Sequence, residues 1–314
     1  MQTTAQVRAV KLPAYVLVTP VRNEEGTIPI TIESVISQTI LPKEWIIVSD
    51  GSTDRTDEIV RRHSAQHAFI RLMRLEGSHT PNFASVVHAI EAGCGALLSA
   101  DYEYIGLLDA DVRFAGDYYQ QLIGKFSDSP KLGLAGGWVK DLVKGKLQGG
   151  RLNPKEVAGA TQFFHRSCFE SLGGLIAIPE GGWDAITCVR ARMHGYETRT
   201  FPDVIMEHLK PRNSIYGSSI RRKWQMGARD YALGSHPMFE TLKCLGRIAE
   251  QPLFLGALAR LAGYVRRSLQ GRQVLLPPEL VRFIRDEQMA RVVALGGMIS
   301  SRVRSSRGAQ ENNS

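Results

Sequence analysis

Two aspartates flanking a single residue, Asp109 and Asp111, close the apolar run Tyr104-Ile105-Gly106-Leu107-Leu108. Carboxylate oxygen is the natural ligand of hard cations such as Mg2+ and Mn2+, and those cations bridge onward to phosphate oxygens. As the chain leaves the strand the two side chains can share a site, one on a metal and one on a ligand hydroxyl. An Asp-x-Asp alone is a weak signal, because aspartate also forms turns. Its company gives it weight. Asn23 and Glu24 follow the apolar run Tyr15–Thr19, which ends at Pro20, and Asp50 follows Trp45–Val48. Farther on, Asp184 opens a helical stretch and His208 follows Val204-Ile205-Met206.

The elements that must position these residues are legible as periodicity. Three short apolar runs, at Tyr15–Thr19, Trp45–Val48 and Tyr104–Leu108, read as buried strands, and Ile70-Arg71-Leu72-Met73 fits a further strand between the last two. Helical spacing lies between them, at Ile30–Ser37, Asp54–His63 and Ala84–Ser99. This is the βαβ rhythm of a mostly parallel sheet, whose ligands bind beyond the carboxyl ends of the strands. The polar residues above sit at those ends. After Gly133 the pattern changes: glycine pairs at 136–137, 149–150, 173–174 and 181–182 predict turns between short pieces. Asp184–His194 then reads as a helix stopped by Gly195, and Thr198–Phe201 and Val204–Met206 read as short strands. From about Ser214 the chain is helical and basic.

Several classes are excluded or disfavoured. The loop after the first strand, Pro20–Gly26, is not GxGxxG, and no GxxxxGK[ST] occurs, so glycine nests do not hold nucleotide phosphates here. A divalent metal on carboxylates is the substitute. The four cysteines, Cys94, Cys168, Cys188 and Cys244, lack metal spacing and are expected to be reduced thiols in or near the core. No run approaches the roughly 18–20 apolar residues of a membrane span, and the first eleven residues hold no signal-peptide core. The expectation is a cytoplasmic protein. From Leu209 onward 18 Lys and Arg face 7 Asp and Glu, whereas the preceding part is slightly acidic. A basic tail suits an anionic partner: nucleic acid, an anionic membrane surface or a phosphorylated lipid. No RNA- or DNA-binding signature accompanies it, so nucleic acid is not expected.

Four segments, in this order and spacing, resemble the family 2 glycosyltransferases: Val18-Thr19-Pro20-Val21-Arg22-Asn23-Glu24-Glu25, Ile47-Val48-Ser49-Asp50-Gly51-Ser52-Thr53-Asp54, Leu107-Leu108-Asp109-Ala110-Asp111 and Gly181-Gly182-Trp183-Asp184. The likeness is strong over about residues 14–212, and the later stretch from Arg222–Trp224 to Tyr231–Phe239 also resembles bacterial members that build surface polysaccharides. It implies an α/β GT-A fold over residues 1–212, with a nucleotide-binding half at about 14–112 and an acceptor half at about 113–212. A basic helical region, 213–314, follows. It implies that the loop holding Thr19, Pro20, Asn23 and Glu24 embraces the donor nucleoside, with Glu24 near the ribose or base. Asp50 is then expected on the base, Asp109 near the ribose and Asp111 on a Mn2+ or Mg2+ ion. His208 is expected as a further metal or diphosphate contact. Asp184, with Glu180 as runner-up, would be the general base for the acceptor hydroxyl. Capping of the helix that Asp184 opens is the competing account of that residue.

The sequence also departs from the family. The loop Gly77–Phe83, where many members carry a cation for the donor diphosphate, has no Lys or Arg. Arg22, His79 and Arg212 are the candidates to replace it. The QxxRW signature of processive synthases is missing, and Arg221-Arg222-Lys223-Trp224 only echoes it, so a processive polymer synthase is not expected. The predicted reaction is a single inverting transfer from a nucleotide-diphosphate sugar to a glycan or a polyprenyl-diphosphate-linked acceptor. Leu253–Leu269 mixes apolar residues with Arg260, Arg266 and Arg267 at helical spacing, which suits either an anionic membrane, on the inner face of the cell membrane, or packing on the enzyme body. The competing functions are a sugar nucleotidyltransferase, which calls for a basic Gly-rich first loop where this one is acidic, and a non-catalytic nucleic-acid-binding module.

Overall fold

The computed structural model describes residues 13–76, 83–150, 152–210, 218–271 and 273–311, with side chains to residue 294. The chain divides into two compact units, Met1–Pro211 and Arg212–Ser314.

In the first unit the strands β1 (Tyr15–Val21), β2 (Glu44–Asp50), β3 (Ile70–Leu75) and β4 (Tyr104–Leu108) lie in the order β3-β2-β1-β4, all parallel. Helices α1 (Ile28–Ile36), α2 (Thr56–Ser64) and α3 (Phe83–Gly95) make the crossovers. A strand covered on both faces carries no polar alternation. Accordingly β1, β2 and β4 are buried along almost their whole length, with one core around Trp45 and Phe163 and another around Val48 and Phe164. Glu44 is the charged exception within β2. It pairs with Arg71 and accepts from the backbone N–H groups of Leu98 (2.9 Å) and Ser99 (2.8 Å), which satisfies a carboxylate that burial would otherwise make costly.

Beyond β4 the sheet becomes mixed. It continues through β8 (Thr161–His165), β6 (Leu132–Val143), β9 (Glu197–His208) and β5 (Val112–Phe114), while β7 (Lys146–Gly149) hangs from β6. The pairs β4·β8, β8·β6 and β9·β5 are antiparallel, and β6·β9 is parallel. Helices α4 (Tyr118–Ser127), α5 (Arg166–Ser171) and α6 (Trp183–Met193) complete this half.

Two expectations need correction here. Gly136-Gly137 is not a turn but lies inside β6. A Cβ at Gly136 would stand 2.7 Å from the Thr161 carbonyl oxygen, and one at Gly137 would stand 2.6 Å from that of Val204, so the glycines serve close strand packing. The two short strands expected at 198–201 and 204–206 are one strand, β9, whose register against β6 shifts between Gly137↔Phe201 and Trp138↔Ile205. Pro202 falls at that irregularity, where a missing backbone N–H is tolerated. The sequence pattern is interrupted there while the strand is not.

The second unit contains α7 (Ser219–Ala232), α8 (Pro237–Leu245), α9 (Leu255–Leu269) and α10 (Pro278–Glu311). Helices α7 and α9 cross with almost no gap: a Cβ at Gly227 would lie 1.7 Å from the Arg260 carbonyl oxygen, and one at Gly263 2.1 Å from that of Trp224. Arg260, 4% exposed, pairs with Asp230 and Glu240, and Lys243 pairs with the same two acids. Among the described residues no helix is long and apolar enough to cross a membrane.

Candidate active site

The loops after β1 and β2 are stitched together by their own motif residues. Asn23, held at φ 54°, accepts from the Thr53 N–H (2.8 Å), and its own N–H donates to Ser52 Oγ (3.2 Å). The Glu24 N–H donates to Thr56 Oγ1 (2.8 Å), and the Glu25 N–H donates to Asp54 Oδ2 (3.0 Å). Buried Asp57 accepts from Ser49 Oγ (2.6 Å) and pairs with Arg74, which fixes the end of β2. Thr19 is fully buried and accepts from Trp45 Nε1 (2.9 Å). Pro20 is paired in register with Val48. The expected donor residues Thr19, Pro20 and Asn23 thus hold the scaffold in place through bonds of their own.

Asp50 is different. It is 6% exposed, and its Oδ1 is buried with no hydrogen-bond partner, while Arg22 lies 3.7 Å from Oδ2. A buried carboxylate oxygen without a donor is costly unless a ligand supplies one. Arg22, expected on the donor diphosphate, stands beside this carboxylate. His79 and Arg212, the other candidates, lie outside the described residues.

Asp109 and Asp111 are brought to His208 by topology. β5 begins directly after Asp111 and pairs antiparallel with β9, placing Val112 opposite His208, and the Leu209 N–H donates to the Asp111 carbonyl (2.8 Å). From the other side Thr31 of α1 straps the turn: its hydroxyl lies 2.9 Å from the carbonyl oxygens of both Ala110 and Val112 and accepts from the Val112 N–H (3.2 Å). One ligand atom from each of Asp109, Asp111 and His208 lies within 4.8 Å of the others. His208 Nδ1 faces the Lys210 carbonyl, to which it donates, and Nε2 lies 3.5 Å from Asp111 Oδ1. Asp141 of β6 stands 3.8 Å from His208 Nδ1. Asp109, expected on the ribose, and Asp111, expected on the metal, each bring a ligand atom to this one cluster.

The electrostatics fit a site built to receive positive charge. Burial, reinforced by the charge of Asp111, pushes the Asp109 carboxyl up to about 7; Asp184 and Glu24 push the same way, against His208. Burial also raises Asp111, with Glu24 adding to it and His208 and Lys210 opposing it. Two carboxylates held together in a low-dielectric pocket titrate upward until a cation joins them. Glu24 is anchored by Thr27 and by Lys210 Nζ at 2.5 Å.

Asp184 does not occupy the N-cap. Gly182, at φ 95°, holds that position without a side-chain cap, and Gly181 precedes it at φ 82°. The glycine pair turns the chain in a conformation that other residues resist. Asp184 therefore stands in the first turn of α6, and its Oδ2 accepts from the Gly159 N–H at 3.3 Å. That N–H belongs to the segment just before β8, and the neighbouring Ala160 carbonyl accepts from the Asp109 N–H (3.3 Å), which sets Asp184 near the acidic pair. Glu180 lies partly buried on the far side of the glycine turn.

Sequence reasoning missed Lys210, Asp141 and Thr31. Lys210, two residues beyond His208 at the end of a strand, offered the only readable signal.

A sheet of this topology with an acidic cluster at its strand ends defines the GT-A fold of nucleotide-diphospho-sugar transferases, here with a helical C-terminal portion. Residues 16–179 match the family model of glycosyl transferase family 2, and the chain belongs to that family. It is similar to the poly-β-1,6-N-acetyl-D-glucosamine synthase of Staphylococcus epidermidis, at 32% identity over 154 residues, taking in 49% of this chain and 34% of the synthase. The chain thus matches about a third of that relative's length. Among solved structures, a mannosyltransferase from Pyrobaculum calidifontis in complex with GDP-Man and Mn2+ has a TM-score of 0.52 and 19% identity, covering 92% of this chain and 80% of that one. S. aureus TarS 1-349 in complex with UDP has a TM-score of 0.51 and 14% identity, covering 82% and 72% respectively. At these identities the structural likeness establishes the fold alone.

Proposed function

We propose that the first unit catalyses an inverting sugar transfer from a nucleotide-diphosphate donor to a hydroxyl of a glycan or a lipid-linked acceptor, in bacterial polysaccharide synthesis. The observation that carries this reading is the convergence of Asp109, Asp111 and His208, with Asp184 close enough for its charge to act on Asp109. Two carboxylates and an imidazole fit a divalent cation, and the imidazole favours Mn2+ over Mg2+, which takes mainly oxygen ligands. Such an ion supplies charge neutralisation to the leaving diphosphate. Solved complexes of fold neighbours with GDP-Man and Mn2+ and with UDP-GlcNAc support both donor and metal. The partnerless oxygen of Asp50 suits an N–H of the nucleobase, and Glu24 with Lys210 lies beside the metal ligands.

In the transfer, the Asp184 carboxylate takes the acceptor's hydroxyl proton. The acceptor oxygen bonds the anomeric carbon from the opposite face. The bond from that carbon to the β-phosphate oxygen breaks, and the nucleoside diphosphate leaves with the electron pair. The synthase relatives form a polymer, but the match takes in only 34% of the synthase, so transfer of a single sugar is the activity proposed here. A polyprenyl-diphosphate-linked acceptor would be met at the inner face of the cell membrane, where the protein would sit peripherally. Membership in the family counts against a nucleotidyltransferase.

The test is a thermal-shift screen of UDP-, GDP- and dTDP-sugars with and without Mn2+, followed by transfer assays with the sugar nucleotide that binds. Stabilisation by one class that requires Mn2+ is expected. No Mn2+-dependent stabilisation by any of them would refute the donor site.

A further inference from the structure

We infer that the outer face of α9, with the loop that leads into it, is a membrane-docking surface that inserts into an anionic lipid leaflet. The inference rests on the second unit alone and does not depend on the transfer reaction. Leu255, Leu258, Ala262, Val265 and Leu269 recur every three or four residues and form one stripe along α9. The four large ones are exposed, at 56%, 65%, 44% and 83% respectively. The opposite face is the packed one: Gly256, Arg260, Gly263 and Tyr264 are buried, with Gly263 against the backbone of α7. The stripe is therefore not an unfinished part of the helix core. At its N-terminal end Leu253 (47% exposed) and Phe254 (64% exposed) extend it.

Water is a poor solvent for a face of this kind, and an uninterrupted apolar stripe on a soluble surface marks an interaction site. Charge decides which partner it fits. Residues 251–278 contain no Asp or Glu but include Arg260, Arg266, Arg267 and Arg272. Arg260 is buried and neutralised by Asp230 and Glu240, and exposed Arg266 sits at the C-terminal end of α9, close to the stripe. The whole unit carries 17 Lys and Arg against 7 Asp and Glu. A protein partner would be expected to meet it with charges of either sign across its rim. A leaflet of phosphatidylglycerol offers an apolar interior beneath a uniform negative surface, which matches an acid-free apolar stripe flanked by arginine. The fifteen residues of α9 lie along such a surface and are too few to cross it.

The experiment is co-sedimentation of the full chain with phosphatidylcholine vesicles that contain or lack phosphatidylglycerol. Sedimentation is expected with the anionic vesicles, weakened but not abolished by salt, and little is expected with phosphatidylcholine alone. The variant Leu255→Ser/Leu258→Ser/Leu269→Ser should lower vesicle affinity by at least about tenfold. Its gel-filtration volume should stay unchanged, because the three side chains are exposed. A second variant, Leu258→Trp, keeps the face apolar; its emission should shift to the blue on adding anionic vesicles and be quenched by lipids brominated on the acyl chain. Failure to sediment at low salt, unquenched Leu258→Trp fluorescence, or wild-type affinity in the triple serine variant would overturn the proposal. So would a dimeric wild type that the serine variant makes monomeric, since a second copy would then cover the stripe.

Discussion

Removing one hydroxyl that is not itself a metal ligand should loosen the metal site. Thr31 is fully buried in α1, and its Oγ1 serves the backbone on both sides of Asp111, at 2.9 Å from two carbonyl oxygens and 3.2 Å from the Val112 N–H. Thr31→Val keeps the shape and removes every one of these bonds. The hydroxyl has a single hydrogen, so one donated and one accepted bond are lost at any instant. The Val112 N–H is then left buried without that partner, a penalty of about 1–3 kcal/mol. Loss of a group that orients a ligand typically costs about 10–100-fold in metal affinity. Urea unfolding and Mn2+ titration calorimetry measure the two effects, and Thr31→Ser, which keeps the hydroxyl, should recover most of the affinity. Wild-type Mn2+ affinity in Thr31→Val would refute the claim that this strap positions Asp111.

Other outcomes follow from the same reading. Because burial and Asp111 push Asp109 up to about 7, protons compete with the metal below that pH; Mn2+ affinity should fall by up to about tenfold per unit of acidification and level off above it. Gly227→Ala drives a methyl into the Arg260 backbone and should destabilise the second unit by about 1–3 kcal/mol or more, seen as an earlier thermal transition. Burial alone would raise Asp230, but Lys243 and Arg260 outweigh it and hold its carboxyl below the ordinary range. The stability it contributes is therefore present above the unfolded carboxylate pKa and lost as pH falls through the lower folded value. Asp230→Asn should flatten that acid limb in thermal melts.

The parallel half of the sheet was legible because β1, β2 and β4 are each built on a continuous apolar run bounded by polar residues; β3, interrupted by Arg71 and Arg74, was legible only by its place in the rhythm. The acceptor half was less so. Glycines that read as turns at 136–137 serve crowded strand packing, and Pro202 interrupts a pattern but not a strand. The acidic candidates were legible as strand ends, since alternation and topology place them there. What the motifs could not reveal is which residues are stitches. Asn23 reads as a donor contact in one dimension and in three is bonded to Ser52 and Thr53, as the Glu25 N–H is to Asp54, while Asp50 keeps a buried oxygen without a partner. Asp141 and Thr31 were invisible because only the pairing of β9 with β6 and the packing of α1 bring them to the site, while Lys210 was signalled only by its place two residues beyond His208.

The central claim is that one cation bound by Asp109, Asp111 and His208 holds the donor diphosphate while Asp184 acts on the acceptor alone. Calorimetry of the nucleoside diphosphate selected by the thermal-shift screen, with Mn2+ present, tests it in three proteins: wild type, Asp111→Asn and Asp184→Asn. The account predicts that Asp184→Asn binds as wild type does although it fails to transfer sugar, and that Asp111→Asn loses at least about tenfold in affinity. Equal binding by wild type and Asp111→Asn, or binding by the wild type that is the same without Mn2+, would contradict it.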